Sequence, residues 1–395
     1  DMKDDLQLYI NRLNAIDNIK NIDLHVDQVT GEDKTVDIVV DIFNRVNSGG
    51  TKLSKGDLAL AKICASWPEA RNEMKSCLQK WENAGYYFKL DWLLRNINTT
   101  LTGEAMFSAL KDVTAGEFQQ GLKSTEKICN YILNMISGRL GLNHNRVLGS
   151  RYSFPIICRY LALRNGKVKD AKERDRLLYW YIHCILWGRF AGSVESTLNK
   201  DLDVIEEGED ALDRLIQQLR LWRGDLTVRP EDFGGWSLGA RFYPMLYMLT
   251  RVYEAKDFGT GLPLTASMLG RLNSLQVHHI FPKSLLYKHG YTRSQVNAIA
   301  NFCFLTQDTN LEISAKDPQV YLAQIEKRHP GILESQWIPM DKELWKIKNF
   351  GEFLAARRKL LADYSNKFLN ELLLGGASDI DTVRYSDELP SGEFI

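Results

Sequence analysis

Apolar side chains recur at intervals of three and four along most of this chain, a period that predicts a mainly α-helical protein. The first stripe, Leu6, Ile10, Leu13 and Ile16, predicts a helix over residues 3–20. Alternation replaces it over 22–29, where Leu24, Val26 and Val29 share one face of a short strand. A second helix runs through Val36, Ile38, Val39, Ile42, Phe43 and Val46 and stops at Asn47-Ser48-Gly49-Gly50. Ser54 then suits the N-cap, with Asp57 at the capping-box position, of a helix carrying Leu58, Leu60, Ala61 and Ile63. Further helices are predicted over 68–85, 115–137, 153–164, 171–190, 208–223 and 239–254, separated by loops rich in Gly, Asn and Pro. Gly259-Thr260-Gly261-Leu262-Pro263 reads as a hinge. Beyond it come a helix near 317–328, a Pro-rich connector over 330–339 and a long helix over 350–374. The stripe of that last helix is Phe350, Phe353, Leu354, Leu361, Tyr364, Phe368 and Leu372. Residues 375–395 carry five acids against one arginine and read as a mobile tail.

Composition narrows the picture in three ways. The 395 residues are 44% apolar, enough for real cores, and the length predicts two or three domains. Lys plus Arg equals Asp plus Glu, at 50 each, so a polyanion-binding surface has to be local. Six scattered cysteines without a Cys-x-x-Cys pair argue against a zinc ribbon or disulfide framework and fit a reducing cytoplasm. No apolar stretch is long enough to cross a bilayer and no signal-peptide pattern is present. The opening Asp1-Met2-Lys3-Asp4-Asp5 reads as the later part of a longer protein.

The chemistry concentrates in His278-His279-Ile280-Phe281-Pro282, followed by Asn301 and Asn310. One-metal phosphodiester hydrolysis needs an activated water, a cation for the scissile phosphate and departing oxygen, and groups that fix the geometry. Two histidines and two carboxamides in one short window supply that set. A strand over 277–281 sends His279 to one side and His278 to the other. The nine-residue spacing of the asparagines suits a loop entering a helix laid across a hairpin. Lys316, six residues past Asn310, and Lys283, just past the proline, are candidate phosphate contacts.

These residues resemble the HNH nuclease family, whose fold is the ββα-metal finger. The resemblance implies that His278 is the first metal ligand and His279 the general base. It likewise makes Asn301 the orienting amide and Asn310 the second ligand. Where the family most often has Asp before the base, this chain has His278. Imidazole is softer and uncharged, which shifts the expected cation from Mg²⁺ toward Mn²⁺, Ni²⁺ or Zn²⁺. The run Ile42-Phe43-Asn44-Arg45-Val46-Asn47-Ser48-Gly49-Gly50-Thr51-Lys52-Leu53-Ser54 resembles a signature of GmrSD-type endonucleases. Those type IV, modification-dependent restriction enzymes pair a ParB-like domain with a C-terminal HNH domain. Phe353-Leu354-Ala355-Ala356-Arg357-Arg358 and Lys316-Asp317-Pro318 with Tyr321 are also similar to that group. The family's Asp-Gly-Gln-Gln-Arg nucleotide motif is absent from these residues. An NTP site would therefore have to come from an upstream domain.

The resemblance implies a ParB-like remnant over 1–66, a helical domain over 67–258, an HNH domain over 259–374 and the tail. It implies double-stranded DNA, base- or backbone-modified or not, as partner, and products with 5′-phosphate and 3′-hydroxyl ends; a homodimer stays open. Bland alternatives stand beside each residue. The histidines could be structural or could hold a zinc that staples the fold, and Asn310 could cap a helix. Residues 139–176 hold ten basic against three acidic side chains, with Arg164, Lys167 and Lys169 as candidate DNA contacts or plain solvated faces. Tyr179-Trp180-Tyr181 with Trp187 fits core packing better than base stacking. Asn47-Ser48-Gly49-Gly50 fits helix termination better than a phosphate cradle. The competing class is a DNA-binding sensor whose finger has lost activity.

Overall fold

A computed structural model describes residues 2–23, 55–206, 210–264 and 275–375, with Gln28, Ile42 and Gly208 between them. Most of the strand expected over 22–29, most of the second helix, the Asn47 to Ser54 signature and the acidic tail beyond Gly375 lie outside the described residues. The ParB-like remnant rested on those segments. Compactness divides the chain into residues 1–54 and 55–395. In the first unit, α1 (Met2–Asp17) forms where the stripe predicts it, and a 3-10 turn over Asn18–Asn21 follows. Its stripe faces solvent: Leu13 and Ile16 are both 64% exposed.

The second unit begins earlier than the expected boundary at residue 67, because Leu60 and Ile63 of α2 (Lys55–Ser66) are already part of its core. There follow α3 (Ala70–Asn83), α4 (Leu90–Thr102), α5 (Ala115–Leu140), α6 (Ser153–Ala162) and α7 (Ala171–Trp187). Then come α8 (Val194–Glu206), α9 (Ala211–Arg223) and α10 (Tyr243–Val252). Local chemistry sets the ends of α5. Thr114 and Glu117 form a reciprocal capping box, and Gly141 closes the helix at φ 69°. A Cβ on Gly141 would lie 2.4 Å from Arg251 Cβ, so that position excludes side chains. The aromatic run of α7 is core, as its apolar context implies: Trp180 and Tyr181 are fully buried.

The only sheet among the described residues is an antiparallel pair, β1 (Gln276–His279) and β2 (Phe302–Leu305), with His278 opposite Cys303 and His279 opposite Phe302. Two short helices, α11 (Lys283–Lys288) and α12 (Arg293–Val296), fill the connection. After β2 come α13 (Gln307–Ile313), α14 (Pro318–Arg328), α15 (Ile332–Ser335) and α16 (Phe350–Leu374). Strand alternation places β2 between two buried clusters. Phe302 and Phe304 join the large helical core, where Phe304 meets Tyr243 and Tyr247 of α10 at 5.9 and 5.1 Å. Cys303 and Leu305 point into a smaller cluster with Phe281, Tyr321 and Trp345. Helix α16 spans both, with Phe350, Phe353 and Leu354 in the small cluster and Leu361, Phe368 and Leu372 in the large one.

Two histidines, His183 in the helical core and the half-buried His144 in the connection after α5, make stability depend on pH. Burial holds His183 down to about 3 and His144 down to about 4, with nearby arginines adding to both. The unfolded chain, with histidines near about 6.5, takes up protons first as pH falls. This contribution is therefore complete above about pH 6.5 and is lost as pH falls toward about 4. The urea midpoint is expected to drop steadily across that window. A flat or rising midpoint contradicts it.

Candidate active site

Register and burial separate the paired histidines. His278 leaves β1 toward the small cluster and is 3% exposed, its ring edge-on to Tyr321 at 6.1 Å. His279 leaves the other face, half-buried against Phe302 at 4.8 Å. This is the opposite-face arrangement that alternation predicts, although the strand ends at His279 rather than at Phe281.

Asn310 lies on α13 and brings its Oδ1 to 2.8 Å from His278 Nδ1. It is not the cap of that helix. Thr306 takes the cap, accepting from the Thr309 amide, and the buried Asp257 holds the same turn. Asp257 accepts from the Thr306 amide at 2.8 Å and from the Thr309 hydroxyl at 2.5 Å. These hydrogen bonds, not solvation, keep its carboxyl below the usual range despite burial. Thus a residue 53 positions upstream in sequence fixes where Asn310 points.

The other ring nitrogen of His278, Nε2, is buried with no hydrogen-bond partner. Burial also lowers His278 to about 4, so at neutral pH the ring is uncharged. The 2.8 Å contact is a hydrogen bond with the ring proton on Nδ1, since the amide oxygen can only accept. With that proton on Nε2 instead, the neutral ring nitrogen and the amide oxygen fit adjacent ligands of one cation, because two bonds of about 2.1 Å at a right angle set donors about 3 Å apart. Among the described residues no cluster of three His, Cys, Asp or Glu completes such a site.

His279 is likewise held near about 4, first by burial and then by the nearby charge of Lys283. Its Nε2 lies 3.2 Å from Oδ1 of Asn297. The Asn297 amide nitrogen donates to the Arg293 carbonyl at 2.9 Å, which fixes its oxygen toward the histidine. His279 therefore donates from Nε2 and keeps a lone pair on Nδ1, the form a proton acceptor needs. Asn297 was not among the residues singled out in the sequence.

Asn301 does not touch His279. Fully buried, it clamps the turn two residues later: its Oδ1 accepts from the Phe281 amide at 2.8 Å, and its Nδ2 donates to the carbonyls of Phe281 and Val296. Its side chain thus braces backbone after the histidines rather than an imidazole ring. Tyr321 reinforces the turn, donating to the Ile280 carbonyl at 2.7 Å. From behind, the buried Arg357 of α16 donates to the carbonyls of Ala300, Phe302 and Gln336. Gln336 donates in turn to the Phe304 carbonyl at 2.8 Å. Burial without a carboxylate partner lowers Arg357 to about 10.

The expected phosphate contacts divide. Lys283 is exposed and close enough to His279 to depress its pKa. Lys316 is not on the helix carrying Asn310, which ends at Ile313. It borders a shallow depression with Glu312, Gln324 and Arg328. In the basic stretch, acids from elsewhere in the chain take up two of the arginines: Arg159 pairs with Glu206 and Arg176 with Asp213. Arg164 is committed to Tyr160, its guanidinium 3.9 Å from the ring centroid, and pairs with Glu173. Lys167 and Lys169 stay exposed.

No protein-family model matches the chain. A curated protein of Methanocaldococcus jannaschii, named as the uncharacterized protein MJ0686, is 23% identical over 342 residues. The match covers 80% of this chain and 54% of that protein, so the chain spans about half its relative's length. No described helix is long and apolar enough to cross a membrane.

Proposed function

We propose that this chain is a metal-dependent DNA endonuclease that hydrolyses phosphodiester bonds at an HNH-type centre. The observation that carries the reading is the 2.8 Å approach of His278 Nδ1 to Asn310 Oδ1, in a hairpin followed by a helix, with the half-buried neutral His279 next to it in sequence on the other face of the strand. His278 and Asn310 would hold the cation. Once bound there, a divalent cation neutralises charge on the scissile phosphate and the departing oxygen. His279 accepts a proton from the attacking water at Nδ1 while Asn297 holds its ring. Lys283 offers a charge to the phosphate. Asn301 and Tyr321 keep the turn after the base from shifting.

The neutral donor pair favours Mn²⁺, Ni²⁺ or Zn²⁺ over Mg²⁺. The cellular role that fits is restriction of phage or modified foreign DNA in the cytoplasm.

The test is nicking of supercoiled plasmid with each of the four cations. Wild type is expected to nick with at least one, and His278→Ala and Asn310→Ala to require at least about tenfold more cation. No nicking with any cation, or unchanged cation dependence in both variants, removes the proposal. A second reading, a DNA-binding sensor with an inactive finger, is favoured by one observation: among the described residues the site pairs one imidazole with one amide, and no group of three His, Cys, Asp or Glu completes it. That protein would retard the plasmid without cutting it.

A further inference from the structure

The segment 234–241, Gly-Gly-Trp-Ser-Leu-Gly-Ala-Arg, holds two large apolar side chains in solvent, with Trp236 48% and Leu238 40% exposed. The loop is tethered. Trp236 forms an antiparallel bridge to Ala298, the Ser237 amide donates to the Asn297 carbonyl at 3.0 Å, and the Ile299 amide donates to the Gly235 carbonyl at 3.0 Å. Ser237 sits at φ 79°, a left-handed conformation that few non-glycine residues adopt. An indole shown to water by a braced loop marks a contact surface more than a packing failure.

The tether also gives the loop an address. Its backbone partner Asn297 is the residue that holds His279. Arg293 stands 6.0 Å from the Trp236 ring centroid, and the exposed Lys283 lies on the His279 side of the same connection. An exposed indole with the exposed Arg293 over its ring and the exposed Lys283 nearby matches a nucleic-acid strand, whose bases stack and whose phosphates need positive charge. An apolar protein partner would have no use for the cations.

We infer that Trp236, with Arg293 and Lys283, is the docking edge for the DNA strand that presents its phosphodiester to His279. The ring stacks on or wedges beside a base flanking the scissile bond, and the cations take neighbouring phosphates. This rests on the nuclease reading of His279.

Binding is measured by fluorescence anisotropy of a fluorescein-labelled DNA duplex and its single strand, in a full-length His279→Ala background that leaves the DNA uncut. Trp236→Ala is expected to weaken binding about tenfold, while Trp236→Phe and Trp236→Tyr stay within about threefold of the parent. Arg293→Ala should weaken binding and flatten its salt dependence. In the cleaving chain, Trp236→Ala should raise the half-saturating DNA concentration and leave the rate at saturation near that of wild type. Parental affinity in Trp236→Ala, or equal losses in the alanine and phenylalanine variants, overturns the inference and leaves the nuclease reading standing. So does a change in sedimentation with DNA affinity intact, which would make the loop a contact between copies. Absence of DNA binding by the parent itself overturns both.

Discussion

His279→Ala is expected to lower plasmid nicking by about a hundredfold to ten-thousandfold, the range a positioned general base contributes. Fold and cation binding should survive. The ring is half-buried, and its one side-chain hydrogen bond among the described contacts goes to Asn297, whose amide stays anchored to the Arg293 carbonyl when the ring is gone. The proposed ligands His278 and Asn310 sit on the opposite side of the strand, and their contact does not depend on the His279 ring. The diagnostic result is therefore a split: catalysis collapses while the urea midpoint and Mn²⁺ affinity hold. Wild-type nicking by the variant would show that another group takes the proton. Equal loss of stability and activity would reduce His279 to a structural residue.

Arg357→Met should destabilise the fold by about 3 kcal/mol. The substitution keeps an apolar stem of similar shape but strips donors from the carbonyls of Ala300, Phe302 and Gln336 in a dry interior, each worth about 1–3 kcal/mol when left unmet. Relief partly offsets this, because burial already disfavours the guanidinium charge, as its lowered pKa records. Arg357→Lys is expected to do no better, since a single ammonium cannot span carbonyls that a planar fork reaches together. Urea unfolding measures both. A cost below about 1 kcal/mol for methionine would mean that the carbonyls find other partners.

The helices with strong apolar stripes were legible from sequence to within a few residues, the long C-terminal one included. Helix α4 was not, for a physical reason. Its sequence, Leu-Asp-Trp-Leu-Leu-Arg-Asn-Ile-Asn-Thr-Thr-Leu-Thr, carries asparagines and threonines that usually favour loops. Here they are buried because their side chains bond back to nearby carbonyls: Asn96 to Trp92, Thr99 to Arg95 and Thr102 to Asn98. The meeting of His278 with Asn310 is what the family resemblance implied. Asn297 was not legible, because it ends a four-residue helix and belongs to no motif; only tertiary placement brings it to His279. The pairing of the basic stretch was hidden for a related reason, since Glu206 and Asp213 lie far along the chain from the arginines they neutralise.

Because one continuous helix contributes a wall to each of two hydrophobic interiors, the hairpin region has no clean edge along which to be lifted out. A fragment starting near residue 259 would carry the distal half of α16 with Leu361, Phe368 and Leu372 stripped of their partners. A fragment ending before residue 350 would lose Arg357 and with it the backing of β2. Transplanting this centre into another scaffold would mean carrying its brace along, and drift in either interior would be felt at the histidines.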